Sequence, residues 1–492
     1  MLNTKKIFIN TDFTNSQLLW LMPIIHGYAL EKKINCLIFK NKIPNHIYKN
    51  KIIQNILRNY KIVIFTENKF LIFYLYFLFL IKNISYHLFL IFFLNKKKVF
   101  NKNNDWYNYQ IFHSVYDTTN LHTKTSSIII NFINKLKSIF IISYNIFVAE
   151  NVCKKKVTTA LISHSVYSGR ALLAVFRKNK ILVINQAFDS LYKQQNNFDV
   201  TWNFYKKKIL SKFFNTNYIK KSNLYWNNRI KGKGIYEDSQ TAFLGKTKRV
   251  ISYKNVVFLH IFKDSPFNVL DKNRIFIDYF EWIYWTLKIL RNTNEDWIFK
   301  EHPSCKEWGE NSLKVFNNIY NKVFNFRKSP HIRYDQQKIS NNEVFSSAKR
   351  IITFCGTSHL ESACFGIKPI IISKTCLENY DKNMIIKPKN LNEYRKYLLI
   401  NSNSRIFKLN NKEITKSKLI LFFNEKIGTL KKQTGSVFEY RKTSKKILSY
   451  NLKKVLFNIQ KNYNFFIKTG KLLSNRHNNN TFSKLFYYSS RK

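Results

Sequence analysis

Short apolar runs alternate with stretches of helical spacing through most of this chain, and no other feature restricts its fold as strongly. Lys6-Ile7-Phe8-Ile9 is followed by a helical pattern over Leu18 to Lys32 and then by Cys36-Leu37-Ile38-Phe39. Ile62-Val63-Ile64-Phe65, Thr159-Ala160-Leu161-Ile162 and Ile181-Leu182-Val183-Ile184 continue the series, with a helix expected from about Gly169. From about Phe204 to Arg249 the pattern weakens into Lys, Asn, Gly and Tyr, which reads as an excursion or linker. It restarts at Val256-Val257-Phe258-Leu259, with a helix over about Phe276 to Leu290 and strands at Trp297, Ile351 and Pro369-Ile370-Ile371-Ile372. Strands alternating with helices predict parallel sheets covered by helices. The expected architecture is α/β, with two Rossmann-like doubly wound domains over residues 1–250 and 251–408.

At 492 residues the chain is long enough for two or three cores, and 45% apolar residues is a globular composition. Residues 401–492 hold 21 Lys or Arg against three Glu. Leu452, Val455, Leu456 and Ile459 nevertheless have helical spacing, so 409–492 is expected to be a basic, partly helical tail.

The formal charge of +55 would ordinarily point to nucleic acid or an anionic membrane. Lys greatly outnumbers Arg, however, and Asn, Ile, Phe and Tyr are abundant, as codon bias in an AT-rich genome would produce. Arg is the better residue for bidentate phosphate and base recognition, and no nucleic-acid-binding signature is present. Nucleic acid is therefore not expected as a partner, whereas an anionic membrane surface is.

Six scattered cysteines without a C-x-x-C pair read as reduced thiols in the cytoplasm, with no zinc site. No cleavable signal is evident at the N-terminus. Phe70 to Ile81 and Leu88 to Leu94 are apolar and aromatic, but each is too short to span a bilayer. They read as buried segments or as an interfacial surface flanked by Lys96-Lys97-Lys98.

Two motifs follow strand candidates in the second domain. Lys300-Glu301-His302-Pro303 places an imidazole and a cation at a strand end, suited to a phosphate, although a surface His-Pro turn explains it equally simply. Gly356-Thr357-Ser358-His359-Leu360-Glu361 allows close backbone approach and offers amides at a helix start. Ser358-x-x-Glu361 also has the spacing of a capping box, while a carboxylate there suits ribose hydroxyls. His260-x-x-x-Asp264 follows the first strand of that domain; no third metal ligand stands at suitable spacing, and Asp264 also suits an Asx turn.

In the first domain, Asp117 and His164 are alternative general bases, and Arg170 has the makings of a carboxylate partner. Local spacing does not choose between the two bases.

Taken in order, His260-Ile261-Phe262-Lys263-Asp264-Ser265-Pro266-Phe267, Phe280-Glu281-Trp282, Trp297-Ile298-Phe299-Lys300-Glu301-His302-Pro303 and Gly356-Thr357-Ser358-His359-Leu360-Glu361 resemble bacterial surface and capsule polysaccharide biosynthesis proteins. This is a group of GT-B glycosyltransferases that includes Kdo-transferase-like enzymes. Val115-Tyr116-Asp117 and His164-Ser165-Val166-Tyr167-Ser168-Gly169-Arg170-Ala171-Leu172 also look like the group, and the resemblance covers roughly residues 1–400. Gly366-Ile367-Lys368-Pro369 departs from the commoner Gly-Lys-Pro by one residue.

The resemblance implies an active site in a cleft between two domains. A nucleotide-sugar donor would lie on the second, with His302 near its phosphates and Glu361 near its ribose. The first would present a polysaccharide or lipid-linked glycan acceptor. It also implies metal-independent chemistry without a cofactor, at the inner face of the cytoplasmic membrane. A polyol-phosphate transferase or nucleotide-sugar epimerase would share such features, and a non-catalytic basic membrane- or nucleic-acid-binding protein is the reading from charge alone.

Overall fold

The computed structural model describes residues 5–10, 15–93, 106–122, 128–163, 166–187, 190–193, 211, 213–233, 242–244, 254–265, 275–373, 375–427 and 457–474. The chain forms two units, Met1–Trp202 with Lys426–Lys492, and Asn203–Glu425.

The first unit begins β1 (Lys6–Ile9), α1 (Asn15–Lys32), β2 (Cys36–Phe39), α2 (Asn45–Tyr48), α3 (Lys51–Leu57) and β3 (Lys61–Ile64). Four helices then intervene: α4 (Lys69–Lys82), α5 (Ile84–Phe93), α6 (Trp106–His122) and α7 (Ile128–Lys154). The chain returns through β4 (Val157–Ser163), α8 (Tyr167–Lys178), β5 (Leu182–Ala187) and β6 (Ser190–Lys193). The sheet order is β3-β2-β1-β4-β5-β6, parallel except for β6, which is the doubly wound order. Strand residues buried on both faces explain the continuous apolar runs. Phe8 meets Phe176 of α8 at 5.3 Å between ring centroids, and Ile142, Ile146 and Val148 of α7 complete that core.

The second unit opens with α9 (Thr216–Ile230), then β7 (Asn255–Phe258), α10 (Tyr279–Leu290), β8 (Trp297–Lys300), α11 (Ser312–Phe324) and β9 (Ile332–Asp335). It continues with α12 (Asn341–Ser347), β10 (Arg350–Thr353), α13 (Ser358–Cys364), β11 (Ile370–Ile371), α14 (Cys376–Tyr380), α15 (Leu391–Leu399) and α16 (Asn411–Phe422). Its sheet, β11-β10-β7-β8-β9, is entirely parallel and repeats the doubly wound order. The expected α/β class and two Rossmann-like, doubly wound sheets are thus present.

Arg350 plugs the amino edge of this sheet. It donates to Asn255 Oδ1 and to the carbonyls of Tyr397, Leu398 and Ile400, pairs with Glu295, and lies over the Trp297 ring. The carbonyls it meets include those left without helical partners at the end of α15.

The boundaries differ from those expected. Residues 203–250 are expected in the first domain, but α9 belongs to the second unit: Trp226 packs on Phe365, and Tyr225 packs on Phe422 of α16. The tail expected over 409–492 is divided, because α16 caps the second unit while α17 (Tyr463–Ser474) lies along α1 in the first.

Glycines make the α1–α17 crossing possible. A Cβ on Gly27 would lie 2.1 Å from the Ile467 carbonyl oxygen, and one on Gly470 would lie 1.9 Å from the Ile24 oxygen. Each glycine therefore receives the other helix's backbone. Of the tail residues expected to be helical, 452–456 lie outside the described residues, and Ile459 is buried.

Candidate functional site

In a doubly wound sheet, ligands bind beyond the carboxyl ends of the strands, where the strand order reverses. In the second unit that place lies between β7 and β10. His260 follows β7, His302 follows β8, and Cys355-Gly356-Thr357-Ser358 follow β10. The structure brings the two histidines together, with ring centroids 5.4 Å apart, although they come from different loops. His260 stacks on Tyr279 of α10 at 4.6 Å, and the Tyr279 hydroxyl is 3.9 Å from the Cys355 sulfur.

Both imidazoles are oriented by the main chain. The Ile261 amide donates to His260 Nδ1 at 3.0 Å, and the Ser304 amide donates to His302 Nδ1 at 3.1 Å. A ring nitrogen that accepts an N–H carries its lone pair there, so the proton of each neutral ring is on Nε2. His302 therefore offers an N–H donor that requires no positive charge, whereas the His260 ring also hydrogen-bonds the Cys355 side chain.

Burial, with His260 as the second cause, pushes the His302 pKa down to about 3, so this ring is neutral near pH 7. For His260, burial opposes charge, while the Cys355 sulfur and Asp264 outweigh burial and raise the pKa to about 9. Asp264 Oδ2 is 3.7 Å from Nδ1. The Ile261 amide acts against protonation, because an imidazolium has no lone pair for it. The raised pKa nevertheless favours the charged ring near pH 7, and Nε2 carries a proton in either form.

Glu310 fixes the His260 loop. Its Oε1 accepts from the Phe262 amide at 3.0 Å, its Oε2 accepts from the Lys263 amide at 2.8 Å, and Ser312 Oγ also donates to it. Asp264 Oδ1 accepts from the Ser265 amide at 2.7 Å, one residue on; the expected Asx turn would need the amide two residues on, which Pro266 lacks. Nothing in the local sequence marks Glu310, Tyr279 or Cys355 as part of this site. Their contacts join separate crossovers, and no local spacing reports that.

Lys300 does not reach the edge as expected. It is fully buried, and its ammonium donates to Asp335 Oδ2 at 2.9 Å and to the Ile339 carbonyl at 2.6 Å, tying β8 to β9 and the loop after it. Burial lowers its pKa, with Asp335 opposing the shift.

Glu361 forms neither the expected capping box nor an exposed ribose ligand. Arg229 Nε and Nη2 both donate to its Oε1, at 3.0 and 2.6 Å, and the pair is buried. Burial works against the Arg229 charge, and Glu361 more than offsets it. Arg229 also donates to the Tyr225 hydroxyl at 3.0 Å, so the pair stitches α9 to α13. Thr357, in helical conformation, occupies the N-cap position of α13 without a side-chain cap, and Ser358 Oγ donates to Thr353 Oγ1 at 3.1 Å instead.

Gly356 behaves differently. A Cβ there would meet only Ser358 Oγ, at an ordinary 3.6 Å, so the fold itself does not demand glycine. In the Gly366-Ile367-Lys368-Pro369 turn, by contrast, Gly366 has φ +83°, and its amide donates to the Ala363 carbonyl, so that glycine ends α13.

In the first unit, Asp117 is fully buried on α6 and faces Arg170 Nη2 of α8 at 3.6 Å. That position ties two helices together and closes the carboxylate off from an acceptor. His164, the alternative base, lies outside the described residues, directly after β4.

No protein-family model and no curated relative matches the chain. Among solved structures, it is similar to the Methanocaldococcus jannaschii UDP-GlcNAc 2-epimerase in complex with UDP-GlcNAc and UDP, with 13% identity, 86% of this chain and 99% of that one covered, and a TM-score of 0.29. It is also similar to the Thermosulfurimonas dismutans KpsC beta Kdo 2,4 transferase, with 10% identity, 54% and 79% covered, and a TM-score of 0.31. For the S. aureus MnaA–UDP structure the values are 10%, 86% and 94%, and 0.27. At such scores the fold assignment rests on the strand orders given above.

Proposed function

We propose that the carboxyl edge of the second sheet binds the phosphate portion of a nucleotide-sugar, and that the protein transfers the sugar to a growing capsular or lipopolysaccharide-type polysaccharide. One observation carries this reading: His260 and His302 stand 5.4 Å apart at the reversal of strand order, both oriented by main-chain amides as Nε2–H donors. Preorganised donors aimed at an oxygen that gains charge stabilise a departing phosphate without reorganising during the reaction. The unfilled space over Gly356 suits close approach of the same ligand.

Neither Lys300 nor Glu361 takes part in this proposal, because each is committed to a buried ion pair. His164 is the general base we favour over Asp117, which Arg170 already engages. We take the reaction to run in the cytoplasm, at the inner face of the membrane, where a lipid-linked acceptor would be presented.

The test is a thermal-shift series with UDP, CMP, CDP, GDP and dTDP, followed by transfer assays on His302→Ala. A nucleotide at about 100 times its Kd stabilises the folded state by about 2.7 kcal/mol. Loss of one preorganised donor lowers kcat about 10²- to 10³-fold. No response to any nucleotide, or a wild-type rate in a folded His302→Ala protein, sinks the proposal. Conversion of a free nucleotide-sugar in the absence of acceptor would replace transfer by epimerisation.

A further inference from the structure

The first unit carries an aromatic surface that none of this chemistry uses. In α4, Ile72, Tyr76 and Phe79 pack toward the core, whereas Phe70, Phe73, Tyr74, Phe77 and Ile81 follow one another at helical spacing on the other face. Phe70 is 90% exposed and Phe73 70%, and no residue of α4 is fully buried. Soluble surfaces scatter such residues singly, so a contiguous row requires an occupant. The start of α7 is apolar and exposed as well: Ile129 is 71% exposed, and Phe132 and Ile133 are exposed too. The Tyr76 hydroxyl donates to the Phe140 carbonyl at 2.7 Å, tying α4 to α7.

Apart from exposed Glu67, which precedes α4, the charges around this face are positive. Lys69 and Lys82 are exposed at the two ends of α4, Lys137 is exposed on α7, and neither Lys69–Phe93 nor 128–149 contains an Asp or Glu. A second copy of the chain would bring like charges together, whereas an anionic bilayer is complementary to them.

Length and direction favour lying in the interface over crossing it. At about 1.5 Å per residue α4 is about 21 Å long, short of a hydrocarbon core of about 30 Å. It also meets α5 at a 72° bend. The stretch Ile129–Lys154 has the length and composition to cross, but half of its apolar window is buried in the fold, where it packs with α8. We propose that the exposed face of α4, with the start of α7, is a docking surface for an anionic lipid bilayer, its aromatic side chains entering the headgroup boundary and its lysines reaching the headgroups.

The experiment is flotation of the full chain with phosphatidylcholine vesicles, with and without phosphatidylglycerol, at low salt and at about 0.5 M salt, where exposed charges are largely screened. Expected is binding that phosphatidylglycerol strengthens and that persists in part at high salt. In Phe70→Ser/Phe73→Ser/Phe77→Ser the partition coefficient should fall at least about tenfold, with an unchanged melting temperature. Undiminished binding of the triple variant would assign vesicle association to net charge alone and overturn the proposal. So would a lipid-free dimer that the triple variant dissociates, which would make a second copy the occupant. Phe73→Trp provides an independent reading: quenching by brominated acyl chains must exceed that of the wild-type protein, and equal quenching overturns insertion.

Discussion

The two sheets share a strand order, but their surroundings are secured by different means. In the second unit, polar pairs join separate elements: the buried pairs Arg229 with Glu361, Lys300 with Asp335 and Glu310 with the His260 loop, and buried Arg350 with partly exposed Glu295. In the first, the buried Asp117–Arg170 pair ties α6 to α8, but a helix from far along the chain covers α1 through reciprocal glycine contacts, and an aromatic face is left open. Ion pairs fix geometry to within a hydrogen bond and suit the unit that holds ligand donors in register. Close backbone packing holds a helix in place while leaving neighbouring surface available for docking.

Substitutions that separate these two kinds of attachment have a clear order of effect. Glu361→Ala strands a buried Arg229 and should destabilise by about 3–5 kcal/mol in urea unfolding, whereas Arg229→Met/Glu361→Leu should recover most of that. If the double variant folds and still binds nucleotide normally, Glu361 is structural; loss of binding in a folded double variant would restore its ligand role. In the first unit, Gly27→Val or Gly470→Val forces the helices apart and should cost about 1–3 kcal/mol, read as a lower melting temperature and faster proteolysis. An unchanged melt would mean that the crossing is not the attachment.

Acid should separate them next. His302 binds a proton near pH 6.5 when unfolded and near 3 when folded. The unfolded state therefore takes up more protons between those values, and stability falls as pH is lowered through them. Stability contributed by the neutral ring is complete above about pH 6.5 and is lost toward pH 3, with a slope of up to about 1.4 kcal/mol per pH unit. His302→Gln should flatten this limb in stability measured against pH, and an unchanged slope would contradict the burial of the ring. The smallest effect belongs to Gly356→Ala, with stability within about 0.5 kcal/mol of wild type and nucleotide affinity about tenfold weaker, or about 1.4 kcal/mol, by calorimetry.

Legibility in the sequence followed the range of the forces involved. Strands such as Val256 to Phe258 and Ile351 to Thr353 are buried on both faces and stand out as apolar runs. The edge strand β9, Ile332-Arg333-Tyr334-Asp335, is partly exposed and was not anticipated. Helix α9 reads as a linker because Lys and Asn are frequent in it, although its buried Ser222, Tyr225, Trp226 and Arg229 keep helical spacing. His260 and His302 were legible because a position after a strand is a local property. The buried pairing of Lys300 and Glu361 is not legible in the sequence because their partners, Asp335 and Arg229, lie 35 and 132 residues away.

The crossing of α1 and α17 also imposes an order on synthesis. Domains generally fold as units while the chain emerges from the ribosome, earliest first. Here α1 and the strands beneath it are made near the start, but their covering helix is translated only after every residue of the second unit. The first unit to be started is thus the last to be finished, and until then its uncovered apolar layer is a surface for chaperones or for premature association.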